Sequence, residues 1–159
     1  MVVYNKDHHS SDYSQIAESF RPGHADYTFQ QKYGFRDYRG GGRSSGRETL
    51  SRVAAGAVAK KLLEEIGISI QAYTLSIGPI SIDREKFNLS ERFQNPFVMP
   101  EKEAAKKADL FLQQCMAQKD SVGGVIECIV TGLPVGLGET VFDKLDACLA
   151  HADVYKRQL

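Results

Sequence analysis

Arg39-Gly40-Gly41-Gly42-Arg43-Ser44-Ser45-Gly46-Arg47-Glu48-Thr49, running on into Leu50-Ser51-Arg52-Val53-Ala54-Ala55-Gly56-Ala57-Val58, is a glycine run that feeds a helix. Leu50, Val53, Ala54, Ala57, Val58 and Leu62 recur at three- and four-residue spacing, the period of one helical face, and Gly67 stands where a C-terminal cap belongs. Ser45 and Glu48 form an S-x-x-E capping box, which satisfies amide donors that the first turn leaves unpaired. Glycines let backbone amides come close to a ligand, and a helix start offers free N–H groups and the positive dipole end, so an anion is expected at Ser44 to Arg47. Arg43 and Arg47 add full charges. The run is not a Walker loop, which needs Lys and Ser/Thr at its end, and G-x-G-x-x-G is not met in a strand-to-helix context.

The charge pattern points the same way. The chain is formally neutral, yet Arg21, Lys32, Arg36, Arg39, Arg43, Arg47, Arg52, Lys60 and Lys61 face only Asp26, Asp37 and Glu48 between residues 21 and 61. That surplus of six positive charges, offset elsewhere, suits an anionic ligand, either a phosphorylated small molecule or nucleic acid; the plainer alternative is a solvated basic face.

Working outward, Val2 to Ser14 reads as a strand end followed by a polar connection, and Arg21 to Ser45 as one long loop rich in Gly and aromatics (Tyr27, Phe29, Tyr33, Phe35, Tyr38). Loops of that length are uncommon unless they bind something. Ile68 to Ile80 reads as a strand pair or one long strand closing at Gly78-Pro79, and Asp83 to Met99 as a loop. A second helix is expected from Pro100, with Pro at the first position and Glu101 and Glu103 near the positive dipole end, to about Lys119. A turn at Asp120 to Gly124 leads into a strand at Val125 to Thr131, and a last helix over Val141 to Ala152 should bury Phe142, Leu145 and Leu149.

With 159 residues one core is the default. Cys115, Cys128 and Cys148 form no CxxC pair and have no His at ligand spacing, which argues against a zinc site or a disulfide framework; no apolar run reaches the roughly 20 residues of a membrane span, and a cytosolic compartment is expected. His8, His9 and His151 lack partners at metal spacing and read as surface residues. His24 differs, because it sits among turn formers beside a cation-rich stretch. Facing one anion together with Arg21, Arg43 and Arg47, it would stay protonated and donate to a leaving phosphate oxygen, with Asp26 as partner; a bland loop histidine is the alternative.

Taken together, Arg21-Pro22-Gly23-His24-Ala25-Asp26-Tyr27-Thr28, Lys32-Tyr33-Gly34 with Arg36-Asp37, Arg39 to Thr49, and Arg52-Val53-Ala54-Ala55-Gly56-Ala57 resemble the core of the chorismate synthase family. The resemblance extends upstream through Asn5, Asp7, Ser10 and Asp12-Tyr13-Ser14. Downstream it runs through Ile77-Gly78-Pro79-Ile80, Asn95-Pro96-Phe97, Asp120 to Gly124, Gly136-Leu137-Gly138-Glu139 and Phe142 to Asp146, ending near Ala152. Gly46 stands where the family most often has Ala, and Thr140 where Pro is common.

The resemblance implies an α/β (α+β) fold, a β-α-β sandwich of antiparallel sheets around helices, incomplete here. It implies a carbon–oxygen lyase that removes phosphate from 5-enolpyruvylshikimate 3-phosphate by anti elimination to give chorismate, in the shikimate pathway to aromatic amino acids. Reduced FMN is the implied cofactor, with NADPH or a separate reductase as the source of electrons, and a homotetramer the implied assembly; neither nucleic acid nor membrane is an implied partner. By matching motif positions, Arg43, Ser44 and Ser45 hold FMN, Arg21, His24 and Arg47 contact substrate, and His24 is the catalytic, proton-handling residue.

Family members are roughly twice this length. The amino-terminal Gly-Glu-Ser-His-Gly motif and the carboxy-terminal segments that complete the flavin pocket have no counterpart here, so residues 1–152 read as a partial domain, inactive alone and prone to aggregate through exposed edges. Residues 153–159 leave the family pattern and read as a boundary artefact. Two other classes compete: a non-catalytic remnant of the same fold, and a basic nucleic-acid-binding module with stacking aromatics.

Overall fold

The computed structural model describes residues 2–4, 13–14, 17–39 and 49–152. The chain divides into two compact units, Met1–Lys61 with Pro134–Leu159, and Leu62–Leu133.

The first unit holds helix α1 (Asp26–Tyr33), most of helix α2 (Thr49–Glu65) and helix α4 (Leu145–Ala152). Residues 26–33 were expected to be loop. They form a helix because Asp26 places a negative charge at the positive dipole end, Thr28 Oγ1 bonds back to Ala25 O at 3.0 Å, and Gly34 at φ 76 closes it by donating to Gln30 O. Eight residues are too few to show a period, and no apolar stripe marks them.

Helix α2 ends where expected, with a Schellman motif: Gly67, at φ 82, donates to Glu64 O and Ile68 donates to Leu63 O. Its apolar residues recur as expected but are not covered among the described residues; Val53 is 73% exposed and Leu62 69%. The last helix begins at Leu145 rather than Val141. Val141 has φ 69, a left-handed backbone that a helix cannot contain, and Phe142 and Leu149 are exposed rather than buried.

The second unit is a three-stranded antiparallel sheet with helix α3 (Lys102–Ala117). Strand β1 (Ser69–Ile77) is central, flanked by β2 (Ile80–Ser81) and β3 (Gly124–Thr131). The stretch expected as one strand or a pair is a hairpin: Ile77 pairs with Ile80 around Gly78-Pro79, and Gly78 supplies the positive φ that tight hairpin loops require. The β1–β3 register runs from Ser69 opposite Thr131 to Ile77 opposite Gly124, with one irregularity between Thr74 and Ser76. There Thr74 turns its amide to Val98 O and its hydroxyl to Phe97 O.

Tyr73, Ile82, Met99, Ala104, Ala105 and Ala108 form the core, with Leu75, Ile77, Phe87 and Phe97 packed against it. The expected loop at 83–99 contains two 3-10 turns, Arg84–Lys86 and Leu89–Gln94, opened by Asp83 and Asn88 side chains that accept from Glu85 N and Ser90 N. Asn95 organises the segment after the second of these turns. Its Oδ1 accepts from Phe97 N and Met99 N while Nδ2 donates to Glu91 O and Met99 O, which lets a polar segment bury Met99 and Pro100. Pro100 therefore lies in the core rather than at the helix start. Glu101 is the N-cap, held by Asp83 N donating to its Oε2 at 2.6 Å.

Candidate functional site

The site is built on the turn that enters α1. Pro22 fixes one backbone angle, Gly23 takes φ 65, and His24 N donates to Arg21 O at 3.3 Å, the pattern of a type II turn in which only a residue tolerant of positive φ fits the third position. The turn folds Arg21 and His24 toward Asp26, the first residue of α1.

Asp26 is 4% exposed and gathers three cationic or potentially cationic groups. Arg21 donates to it three times, from Nε to Oδ2 at 2.8 Å, from Nη2 to Oδ1 at 3.0 Å and from its backbone N to Oδ2 at 3.2 Å. His24 Nδ1 lies 2.9 Å from Asp26 Oδ1, and Arg36 Nη1 lies 3.5 Å from Oδ2. Arg36 is itself tied down, because Nη2 donates to Ala17 O and Ser19 O and its guanidinium lies over the Phe20 ring. The Arg21 fork is the main reason that the Asp26 carboxyl is held down to about 2, with the cationic character of His24 contributing; burial alone would push it the other way. The same fork raises Arg21 above the usual guanidinium value.

One carboxylate thus sits among two arginines and a histidine, so the cluster keeps a positive balance. Among the described residues, no hydrogen bond reaches Arg21 Nη1 or His24 Nε2. Those are the two nitrogens left for a ligand, and Arg21 keeps 30% of its side chain open. Such a set suits an oxyanion. A cleft of about 400 Å³ in the second unit, lined by Glu91, Asn95, Phe97, Lys102, Lys106 and Asp109, mixes both signs and lacks that bias.

Of the expected site residues, the structure brings Arg21 and His24 together around the expected partner Asp26. Arg43, Ser44, Ser45 and Arg47, with the capping box, lie outside the described residues, as do His8 and His9; His151 is exposed. Arg36 was not singled out from sequence, although it stood within the Lys32 to Asp37 motif.

The family model for chorismate synthase matches residues 1–154. The chain belongs to the chorismate synthase family. The chorismate synthase of Lachnospira eligens is 60% identical over 152 residues, 96% of this chain and 42% of that protein, and that of Agathobacter rectalis is 57% identical over 152 residues, 96% of this chain and 41% of that protein. A solved structure described as a crystal structure of chorismate synthase superposes with a TM-score of 0.61 at 30% identity, covering 72% of this chain and 38% of that one. The chain therefore spans about two fifths of the length of the chorismate synthases it matches. Mixed helices with a small antiparallel sheet agree with an α/β fold of this family. No helix among the described residues is long and apolar enough to cross a membrane.

Proposed function

We propose that this chain carries part of the active site of a chorismate synthase, which eliminates phosphate from 5-enolpyruvylshikimate 3-phosphate to give chorismate. The observation that carries the reading is the Arg21–His24 pair gathered at Asp26, with Arg21 Nη1 and His24 Nε2 unbonded among the described residues, in a chain of this family. Loss of phosphate builds negative charge on the departing oxygens. Preoriented cationic donors lower the energy of that charge more than water does, because they need not reorganise as it develops.

In this reading Arg21 clamps a phosphate oxygen through Nη1, and His24 handles a proton at Nε2. Arg47 adds a further substrate contact, while Arg43, Ser44 and Ser45 hold FMN. Reduced FMN, when bound, supplies electron density toward the ring that loses phosphate. The donor set of Arg21 and His24 fits the substrate phosphate, and the flavin contacts rest on the family motif at residues 43–45. NADPH or a separate reductase supplies the electrons for the flavin, and the full-length protein works as a cytoplasmic homotetramer.

The test is anaerobic titration with reduced FMN and 5-enolpyruvylshikimate 3-phosphate, following flavin fluorescence and chorismate release. Saturable binding of both ligands, lost for the substrate in Arg21→Ala and with any turnover abolished in His24→Ala, is the expected result. Binding of neither ligand would sink the reading. Affinity for single-stranded RNA that falls steeply with salt would favour the nucleic-acid alternative instead.

A further inference from the structure

Arg36 faces inward where Arg21 opens outward: its side chain is 8% exposed against 30%. Nη2 donates to Ala17 O at 2.7 Å and to Ser19 O at 2.8 Å, and the guanidinium carbon lies 4.9 Å from the centre of the Phe20 ring. Nη1 lies 3.5 Å from Asp26 Oδ2 as an ion pair. One planar group therefore holds the residues that lead into Arg21 and also touches the acid that Arg21 grips. The oxygen is shared, because Asp26 Oδ2 accepts from Arg21 Nε at 2.8 Å and from Arg21 N at 3.2 Å. Phe20, pinned under Arg36, meets the Tyr27 ring edge-on at 5.4 Å on the first turn of α1.

We propose that Arg36 is a positioning residue, which sets where Arg21 Nη1 points by anchoring the chain at residues 17–20 and the carboxylate of Asp26 together, without itself reaching the ligand. This deepens the reading of Arg21 as the phosphate clamp and rests on it. A clamp favours a developing charge only when its donors are held in place before the charge appears. The fork to Asp26 fixes the Arg21 head, and Arg36 fixes the backbone that carries it. A guanidinium suits this task because its donors lie in one rigid plane, so two carbonyls and a carboxylate can be met at once; a lysine is a point charge on a flexible stem. Without Arg36 the fork to Asp26 would survive, but the segment entering Arg21 would lose its anchor and the fork would loosen with it.

The experiment is hydrogen exchange at Arg21 Nε–H, read by NMR of the 159-residue chain with 15N-labelled arginine and no ligand, the signal assigned by its loss in Arg21→Lys. In the wild type, Arg21 Nε–H and the Nη2 hydrogens of Arg36 should both exchange more slowly than in free arginine. Arg36→Met and Arg36→Lys should each speed exchange at Arg21 about tenfold, the factor that one net hydrogen bond controls, with helical circular dichroism unchanged. Lys32→Met, which removes a neighbouring charge and none of these contacts, should leave the rate as it was. Wild-type Arg36 exchanging like free arginine overturns the proposal whatever the variants do, including one that fails to fold. So does full rescue by Arg36→Lys, or an equal rise in Lys32→Met, since charge alone would then account for the effect. Titration with 5-enolpyruvylshikimate 3-phosphate should show affinity weakened about threefold or more in Arg36→Lys, and an unchanged affinity there beside saturable wild-type binding overturns the proposal as well. The exchange is read without ligand, so the expected exchange pattern with no binding to the wild type would count against the functional reading alone.

Discussion

Arg21 binds Asp26 through a two-nitrogen fork, Nε and Nη2 meeting the two carboxylate oxygens at 2.8 and 3.0 Å, and its own backbone amide adds a third bond to the same group. A planar guanidinium fits a carboxylate in this way and a lysine cannot, so the geometry ties the orientation of Arg21 to one buried acid five residues on.

The fork predicts an acid-labile stability. Asp26 titrates at about 2 in the fold against 3.8 ordinarily, so its contribution is fully present above about pH 4 and is lost as pH falls through 2. A shift of that size corresponds to at most about 2.5 kcal/mol, reduced by the water that reaches the open side of Arg21. Urea unfolding between pH 5 and pH 2 should show a steeper loss in the wild type than in Asp26→Asn. Parallel curves would mean that the pair does not form.

Gly67 and Gly132 should respond differently to alanine. Both have positive φ, but a Cβ on Gly67 meets open space, whereas one on Gly132 would overlap the Gly67 carbonyl oxygen, which is backbone and cannot move aside. Gly67→Ala should cost about 1 kcal/mol from strain alone. Gly132→Ala should destabilise the second unit by clearly more, as read by thermal melting.

Met99 is fully buried in the core of the second unit. Met99→Ala should lower its stability by about 2 to 5 kcal/mol, the usual range for emptying such a site. An unchanged urea midpoint would show that this core does not form.

Among the described residues strand β3 pairs with β1 on one side only, and it carries Val125, Ile126, Ile129 and Val130 exposed, without a Lys, Arg or Pro to discourage further pairing. The chain should therefore associate as concentration rises, and Ile126→Lys with Val130→Lys should suppress this in light scattering. Monodisperse wild-type protein at high concentration would contradict the expectation.

How much the sequence revealed depends on how local each feature is. The period of α2 and its Gly67 cap are set by residues within a few positions of one another, and these were legible, whereas the sequence left one strand or a pair open over Ile68 to Ile80 and the hairpin around Gly78-Pro79 is the structure's answer. The grouping of Arg21 and His24 with Asp26 was equally legible, because these residues lie within five positions, whereas Arg36 reaches Asp26 from ten positions away and was not singled out. Helix α1 was missed since eight residues without an apolar stripe look like loop. Pro100 was misplaced because Asn95 Nδ2 donating to Met99 O, Asn88 N donating to Pro100 O and Asp83 N donating to Glu101 Oε2 rebuild the backbone around it, and no periodicity records such bonds. The exposure of Val53 and Leu62 was invisible for a different reason: an apolar stripe states that a face wants covering, while its cover is decided by other parts of a fold.

The most direct measurement is calorimetric titration of 5-enolpyruvylshikimate 3-phosphate into the chain and into Arg21→Ala. Saturable binding is expected in the wild type, weakened tenfold or more in the variant, or about 1.4 kcal/mol and above. Equal affinity in the two proteins, or no saturable binding to the wild type, would contradict the assignment of the Arg21–His24 cluster as the phosphate site.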